Sequence, residues 1–246
     1  MSISILKFLS LFRYVRAFYN FRDRKFKYED VTPKSLDDLK NFIISVGDEP
    51  ETFEIEKILK EGNDHYEMIR RERSLILPDY VDGGRYFCQA LYAVVKILKP
   101  KVVVETGVAN GMSTSMILLA LKDSGGVLHS FDINAETKNA HKPQVNWEWH
   151  QLDFRNPMKS FRSFFQVHDT NVELWVHDSD HSRYWQEFEY DLAIKHLGSN
   201  GVMISDDIDD SSAWFRKFSK HQTVEIRDKH KVFGIAFLSK SDRGKD

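Results

Sequence analysis

The residues best equipped for chemistry are acids that close apolar runs. Asp178-Ser179-Asp180-His181 follows VELWVH, and Asp206-Asp207 follows GVMIS. The run KVVVE ends on Glu105, the run from Val127 to Phe131 leads into Asp132, and the run from Val145 to Gln151 is followed by Asp153. Carboxylates brought together repel one another and are costly unless they meet donors or cations. Randomly solvated acids would not favour one kind of position, so a ligand with hydroxyls, an amine or a metal ion is implied. Asp178, Asp206 and Asp207 make a hard-oxygen set suited to Mg2+ or another divalent ion, which would favour the alkoxide of a bound hydroxyl. In the alternative, Asp178 and Asp206 position a ligand without metal, while Asp207 and Asp209 cap the following helix. Asp180 and His181 are the candidate bases.

The element that must position these acids is the stretch KVVVETGVANG, Lys101 to Gly111. Its three consecutive valines suit a strand covered on both faces. Gly107 and Gly111 allow a sharp turn and close approach of backbone to a ligand, and STSMILLAL from Ser113 has helical character. A strand, a glycine turn and a helix N-terminus form a nucleotide-type binding corner. An acid at the end of the next strand, here Asp132, accepts hydrogen bonds from ribose hydroxyls in such corners; its structural alternative is a cap for a helix starting near Ala135.

From residue 101 strands and helices alternate. Strands are expected at 101–106, 127–131, 145–151, 172–177 and 201–205, with helices at 112–122, 181–197 and 210–219. Runs at 223–226 and 232–238 can pair as an antiparallel hairpin. This alternation predicts a parallel sheet with helices on both faces. Upstream, Ser35 opens a capped helix, Thr52 to Lys60 a second that stops at Gly62, and Asn63 a third carrying Arg70-Arg71-Glu72-Arg73 as a solvated face. Gly83-Gly84 marks a hinge before the stripe Phe87, Leu91, Val94, Val95 and Leu98, which Pro100 ends.

Composition bounds the reading. The 246 residues suffice for one α/β domain and an extension, and the net charge of −2 supplies no field that recruits nucleic acid. The single cysteine, Cys88, excludes an intramolecular disulfide and fits a reducing, cytoplasmic setting. No apolar run reaches the roughly 18 residues of a spanning helix. Residues 1–28 interleave aromatic and aliphatic side chains with Lys7, Arg13, Arg16, Arg22, Arg24, Lys25 and Lys27. Such a segment can lie peripherally in a membrane interface or pack on its own domain or a second subunit of a homo-oligomer. Its basic residues are scattered around a helical projection, which weakens the membrane reading.

Residues from about 85 to 240 resemble the class I S-adenosylmethionine-dependent methyltransferases. Within them they resemble most the small-molecule and sugar O-methyltransferase group that includes macrocin O-methyltransferase. The resemblance rests on VVVETGVANGMSTS, FDIN, ELWVHDSDHSRYWQEFEYDLAIKHLGSNGVMISDDID and FGIAFL. It implies an α/β fold, a Rossmann-like doubly wound and mostly parallel seven-stranded sheet with a C-terminal antiparallel hairpin. Residues 85–246 would form the cofactor-binding domain and 1–84 a helical N-terminal extension. It further implies that Glu105 and Gly107 line the methionine end of S-adenosylmethionine and that Asp132 holds the ribose. Ala109, Gly111, Ser113, Asp153 and Asp178 complete the expected cofactor set. In metal-dependent relatives the positions of Asp178, Asp206 and Asp207 bind the ion. The middle glycine of the usual turn is Ala109 here, which narrows the room beside the cofactor. The implied activity is methylation of a hydroxyl on a small molecule or sugar.

Two other readings compete. An NAD-dependent oxidoreductase would show GxGxxG and leaves Asp206-Asp207 without a role. A non-catalytic cofactor-binding scaffold would bind without turnover. Nucleic-acid methylation is disfavoured by the charge and by the lack of the Asn/Asp-Pro-Pro-aromatic pattern.

Overall fold

The computed structural model describes residues 35–46, 52–79, 82–142, 146–168, 171–229 and 231–238. The basic, aromatic segment 1–28 lies outside them. Three helices precede the sheet: α1 (Leu36–Val46), α2 (Thr52–Glu72) and α3 (Arg85–Leu98). Then follow β1 (Val102–Thr106), α4 (Met112–Leu121), β2 (Val127–Asp132), β3 (Trp147–Gln151), α5 (Pro157–Val167), β4 (Val172–His177), α6 (Arg183–His196), β5 (Leu197–Ser205), α7 (Ala213–Phe218), β6 (Gln222–Asp228) and β7 (Lys231–Leu238).

The seven strands are ordered β3-β2-β1-β4-β5-β7-β6. β1 to β5 pair in parallel, whereas β7 pairs antiparallel with both β5 and β6. The expected doubly wound sheet with an antiparallel terminal hairpin is therefore present. Successive strand residues face opposite sides. Val103, Leu128, Leu174, Val176 and Ile204 enter one core with α1 to α4, while Val104, Phe131, Trp175 and Met203 enter the other with α5 to α7. Burying each such side chain stabilises the fold by about 1.5–3 kcal/mol. Among the described residues no helix is long and apolar enough to cross a membrane.

Several local expectations are corrected. Residues 52–72 form one helix, not two interrupted at Gly62. A Cβ on Gly62 would meet the Tyr92 side chain at 3.2 Å, so this glycine admits α3 rather than stopping α2. Arg73 is not part of a solvated face: its side chain is buried against Asp79 and Asp82. Gly84 is no hinge; the adjacent α3 N-terminus is tied to β6 by Asp228, whose Oδ2 accepts from Tyr86 N at 2.7 Å and Phe87 N at 3.1 Å. Helix α5 was not foreseen. Asn156 caps it, accepting from Lys159 N at 3.4 Å, with Pro157 in its first turn and Phe161 and Phe165 buried.

Candidate active site at the carboxyl ends of the strands

The glycine turn after β1 is held in left-handed backbone geometry, with φ of 83° at Gly107, 48° at Ala109 and 76° at Gly111. The Asp132 carboxylate fixes it from β2. Its Oδ2 accepts from Val108 N at 2.9 Å and Ala109 N at 3.4 Å, and its Oδ1 accepts from Asn134 N at 2.8 Å. Asp132 does not cap the short helix at Ala135–Asn139; Asn134 does, accepting from Glu136 N at 3.1 Å. Beside the turn opens a cavity of about 330 Å³ whose walls include Gly107, Ala109, Asp132, Asp178 and Asp180, with Leu77 on a strap before α3. That strap is anchored by Asn110, whose Oδ1 accepts from Ile76 N and Leu77 N, both at 2.7 Å, while its amide donates to Asp82 at 3.0 Å.

Four residues expected to bind cofactor do not line this cavity. Glu105 is fully buried behind the turn, with Oε2 accepting from Ser130 at 2.6 Å and Thr114 at 2.8 Å. Burial pushes its pKa up, against those hydroxyls, to about 6. Gly111 and Ser113 lie at the buried start of α4. Asp153 is exposed and turns back on Arg155 N at 3.0 Å, whereas its neighbour Leu152 lines the cavity.

The acids after β4 and β5 do converge, and the group that joins them is one the sequence reading missed. Lys231 Nζ, at the start of β7, lies 3.1 Å from Asp206 Oδ2 and 3.0 Å from Asp207 Oδ2. Asp207 Oδ2 also meets His181 Nδ1 at 2.9 Å, and His181 Nε2 lies 3.9 Å from Asp178 Oδ1. Burial and the neighbouring Asp206 charge push the Asp178 pKa well up; burial and Asp207 likewise raise Asp206. Burial would also raise Asp207, but His181 and Lys231 outweigh it and hold its pKa down, to about 2. Burial tends to lower both basic groups, yet the carboxylates raise His181 and Lys231. Asp180 Oδ1 accepts from Ser182 N at 2.8 Å at the head of α6.

These residues do not fit the divalent cation expected at Asp178, Asp206 and Asp207. The ammonium of Lys231 already sits between two of the three carboxylates, and a metal at this position would face a like charge. A different set of ligand-type atoms meets elsewhere on the sheet. His129 Nδ1 lies 3.1 Å from His150 Nε2 and 3.3 Å from Glu148 Oε2, across β2 and β3 and outside the cavity wall.

A second unforeseen residue is Glu189 of α6. Fully buried, it accepts from Trp175 Nε1 at 2.9 Å, Trp185 Nε1 at 2.9 Å and Ser179 Oγ at 3.3 Å, and meets His177 Nδ1 at 2.8 Å. It anchors the loop that carries Asp178 and Asp180. An acid on the inner face of an amphipathic helix was the available signal.

Residues 104–208 match the family described as "Methyltransferase domain". No curated protein sequence matches the chain. Among solved structures, the S-adenosylhomocysteine-bound methyltransferase PaMTH1 of Podospora anserina is similar with a TM-score of 0.53 and 12% identity, over 85% of this chain and 99% of that one. The O-methyltransferase TomG of Streptomyces achromogenes, solved with S-adenosylmethionine, has a TM-score of 0.51 and 13% identity, over 82% and 96% of the two chains. An O-methyltransferase of Bacillus cereus, solved with S-adenosylhomocysteine, gives 0.50 and 11%, over 82% and 97%. Identities this low carry the fold and no more. The chain therefore has the fold of these methyltransferases, and its segment from within β1 to just beyond β5 matches a methyltransferase-domain family.

Proposed function

We propose that the protein transfers a methyl group from S-adenosylmethionine to a hydroxyl oxygen of a small-molecule or sugar acceptor. The observation that carries this reading is the cavity between Asp132 and Asp178, with the glycine turn as one wall and the His181–Asp207 pair adjoining it through the Asp178 loop. S-adenosylmethionine, when bound, supplies a sulfonium-activated methyl. The chain must then hold an oxygen nucleophile in line, exclude water and take up its proton.

His181 is the base that the geometry favours over Asp180. Its Nδ1 is oriented by Asp207, and its Nε2 is buried with no hydrogen-bond partner among the described residues. Asp180 Oδ1 is already engaged by Ser182 N. In the balanced step the acceptor O–H loses its proton to His181 Nε2, the oxygen forms a bond to the methyl carbon, and the carbon–sulfur bond breaks. An ether and S-adenosylhomocysteine result, and Asp207 stabilises the imidazolium. Trp185 and Leu77 contribute apolar wall to the cavity.

The test is calorimetric titration of the full chain with S-adenosylhomocysteine. Saturable binding that weakens in Asp132→Ala supports the reading, and absence of heat across the micromolar range overturns it. An oxidoreductase is disfavoured because the match is to a methyltransferase family.

A further inference from the structure

We infer that Lys231 is the resident cation of this site and stands where a divalent metal would otherwise bind, so that the site works without one. The inference rests on the methyltransferase reading for its consequence, though not for its test. Four observations carry it. The Asp206 side chain is 1% exposed, yet its Oδ2 holds an ammonium whose own side chain is 30% exposed, so Lys231 reaches inward to an acid that water does not solvate. Asp206 Oδ1 is buried and has no hydrogen-bond partner among the described residues, so the ammonium on Oδ2 is what offsets the burial of this carboxylate. The ammonium bridges two carboxylates from one strand end, as a hard cation would. The topology enforces the placement: β7 runs antiparallel to β5, pairing Ser205 with Gly234, so the first residue of β7 projects past the carboxyl end of β5.

The chemistry differs from that of a metal site. A lysine ammonium is a point charge with three donors. Two of them meet Asp206 and Asp207, which leaves a third. It can bind a hydroxyl and favour its developing negative charge, but it does not dissociate under chelation. With two donors engaged by carboxylates, the ammonium cannot hold both oxygens of a diol as an open metal coordination sphere does. A lone hydroxyl is therefore the acceptor group the site suits best.

The experiment is titration of the full chain with Mn2+ alone, followed by the paramagnetic resonance of the free ion, with S-adenosylhomocysteine calorimetry on the same samples. The wild-type protein is expected to leave the free-ion signal undiminished at millimolar Mn2+. Lys231→Ala, and Lys231→Met as a variant that keeps the aliphatic stem, are expected to bind Mn2+ about tenfold or more tightly than wild type. Adding Asp206→Asn to either is expected to abolish that uptake. Wild-type uptake of Mn2+ that Asp206→Asn removes overturns the inference. So does a folded Lys231 variant that binds no more Mn2+ than wild type. If neither variant folds, the wild-type titration still decides. Failure of S-adenosylhomocysteine to bind wild type counts only against the methyltransferase reading, because the manganese result is read independently of it.

Discussion

A Cβ placed on Gly107 would lie 2.0 Å from the carbonyl oxygen of Asp178. The turn after β1 and the loop after β4 are thus in backbone contact across the floor of the cavity, and the contact leaves no room for any side chain. Gly107 also has a φ of 83°, where a Cβ is strained even in open space. Gly107→Ala is expected to destabilise the fold by at least about 2 kcal/mol, from left-handed strain and the displaced Asp178 backbone together. It is also expected to weaken S-adenosylhomocysteine binding in the variant that remains folded. Urea unfolding and calorimetry check both, and a stable Gly107→Ala with wild-type affinity would contradict the packing described.

Ala109 gives the opposite expectation. It is a non-glycine residue at φ 48°, between the two glycines of the turn. Left-handed geometry costs an L-residue about 1–2 kcal/mol, while glycine loses about 0.4–1 kcal/mol more entropy on folding. Ala109→Gly should therefore raise stability by up to about 1 kcal/mol, seen as a higher urea midpoint at constant slope. A lower midpoint would show that the Ala109 methyl, which lines the cavity, contributes packing that offsets its strain.

The sheet was legible because its strands are apolar runs with sharp ends. VELWVH predicts β4 with the observed bounds, since β-branched and aromatic residues alternate between two buried faces. Helix α5 escaped because only Phe161 and Phe165 of its apolar residues are fully committed to the core, although Asn156-Pro157 was a readable start signal. Of the site, the acids at the ends of β2, β4 and β5 were readable from position alone. Lys231 was not, because its place depends on the antiparallel register of β7, which spacing along the chain does not reveal. Arg73 looked solvated for the same reason: its partners Asp79 and Asp82 lie on a strap whose path only the fold defines.

Asp132 and Asp153 provide a paired test of which strand-end acids matter. Asp132 accepts three backbone N–H groups and walls the cavity, while Asp153 is exposed and outside it. Asp132→Ala should lose about 1–3 kcal/mol of stability, because turn amides are left without their charged acceptor, and should weaken S-adenosylhomocysteine binding. Asp153→Ala should stay within about 0.5 kcal/mol of wild type. Equal effects of the two on binding would move the cofactor away from the β2 end.

The imidazoles on β2 and β3 set an acid limit. Burial, assisted by His129, lowers the His150 pKa to about 4, and burial also lowers His129. A histidine depressed in the folded state binds more protons when unfolded, so stability is full above the unfolded pKa of about 6.5 and falls as pH drops toward 4. For His150 the loss is at most about 3 kcal/mol. Glu105, raised to about 6, works in the opposite sense between pH 4.5 and 6, so the comparison must be made between variants. His150→Phe should flatten the fall in urea-unfolding stability from pH 6.5 to 4 relative to wild type; an unchanged slope would show that His150 is not the group responsible.

His181 should titrate above the usual histidine value, and methyl transfer should follow it. Burial works against its charge, but the hydrogen bond to Asp207 and the nearby carboxylates prevail and raise its pKa. A base must be neutral to accept a proton, so transfer should rise with pH through a midpoint above about 6.5 and level off once His181 is deprotonated. Asp207→Asn removes the charge that holds the proton on, and the midpoint should move to lower pH. Ring-proton resonances of His181 followed against pH report the same shift without any acceptor being known. His181→Gln should lower transfer about a hundredfold or more, while S-adenosylhomocysteine affinity stays within about threefold. A His181 resonance that titrates at or below 6.5 in the wild-type protein, unmoved by Asp207→Asn, would remove the pair from the proton path and leave Asp180 as the base.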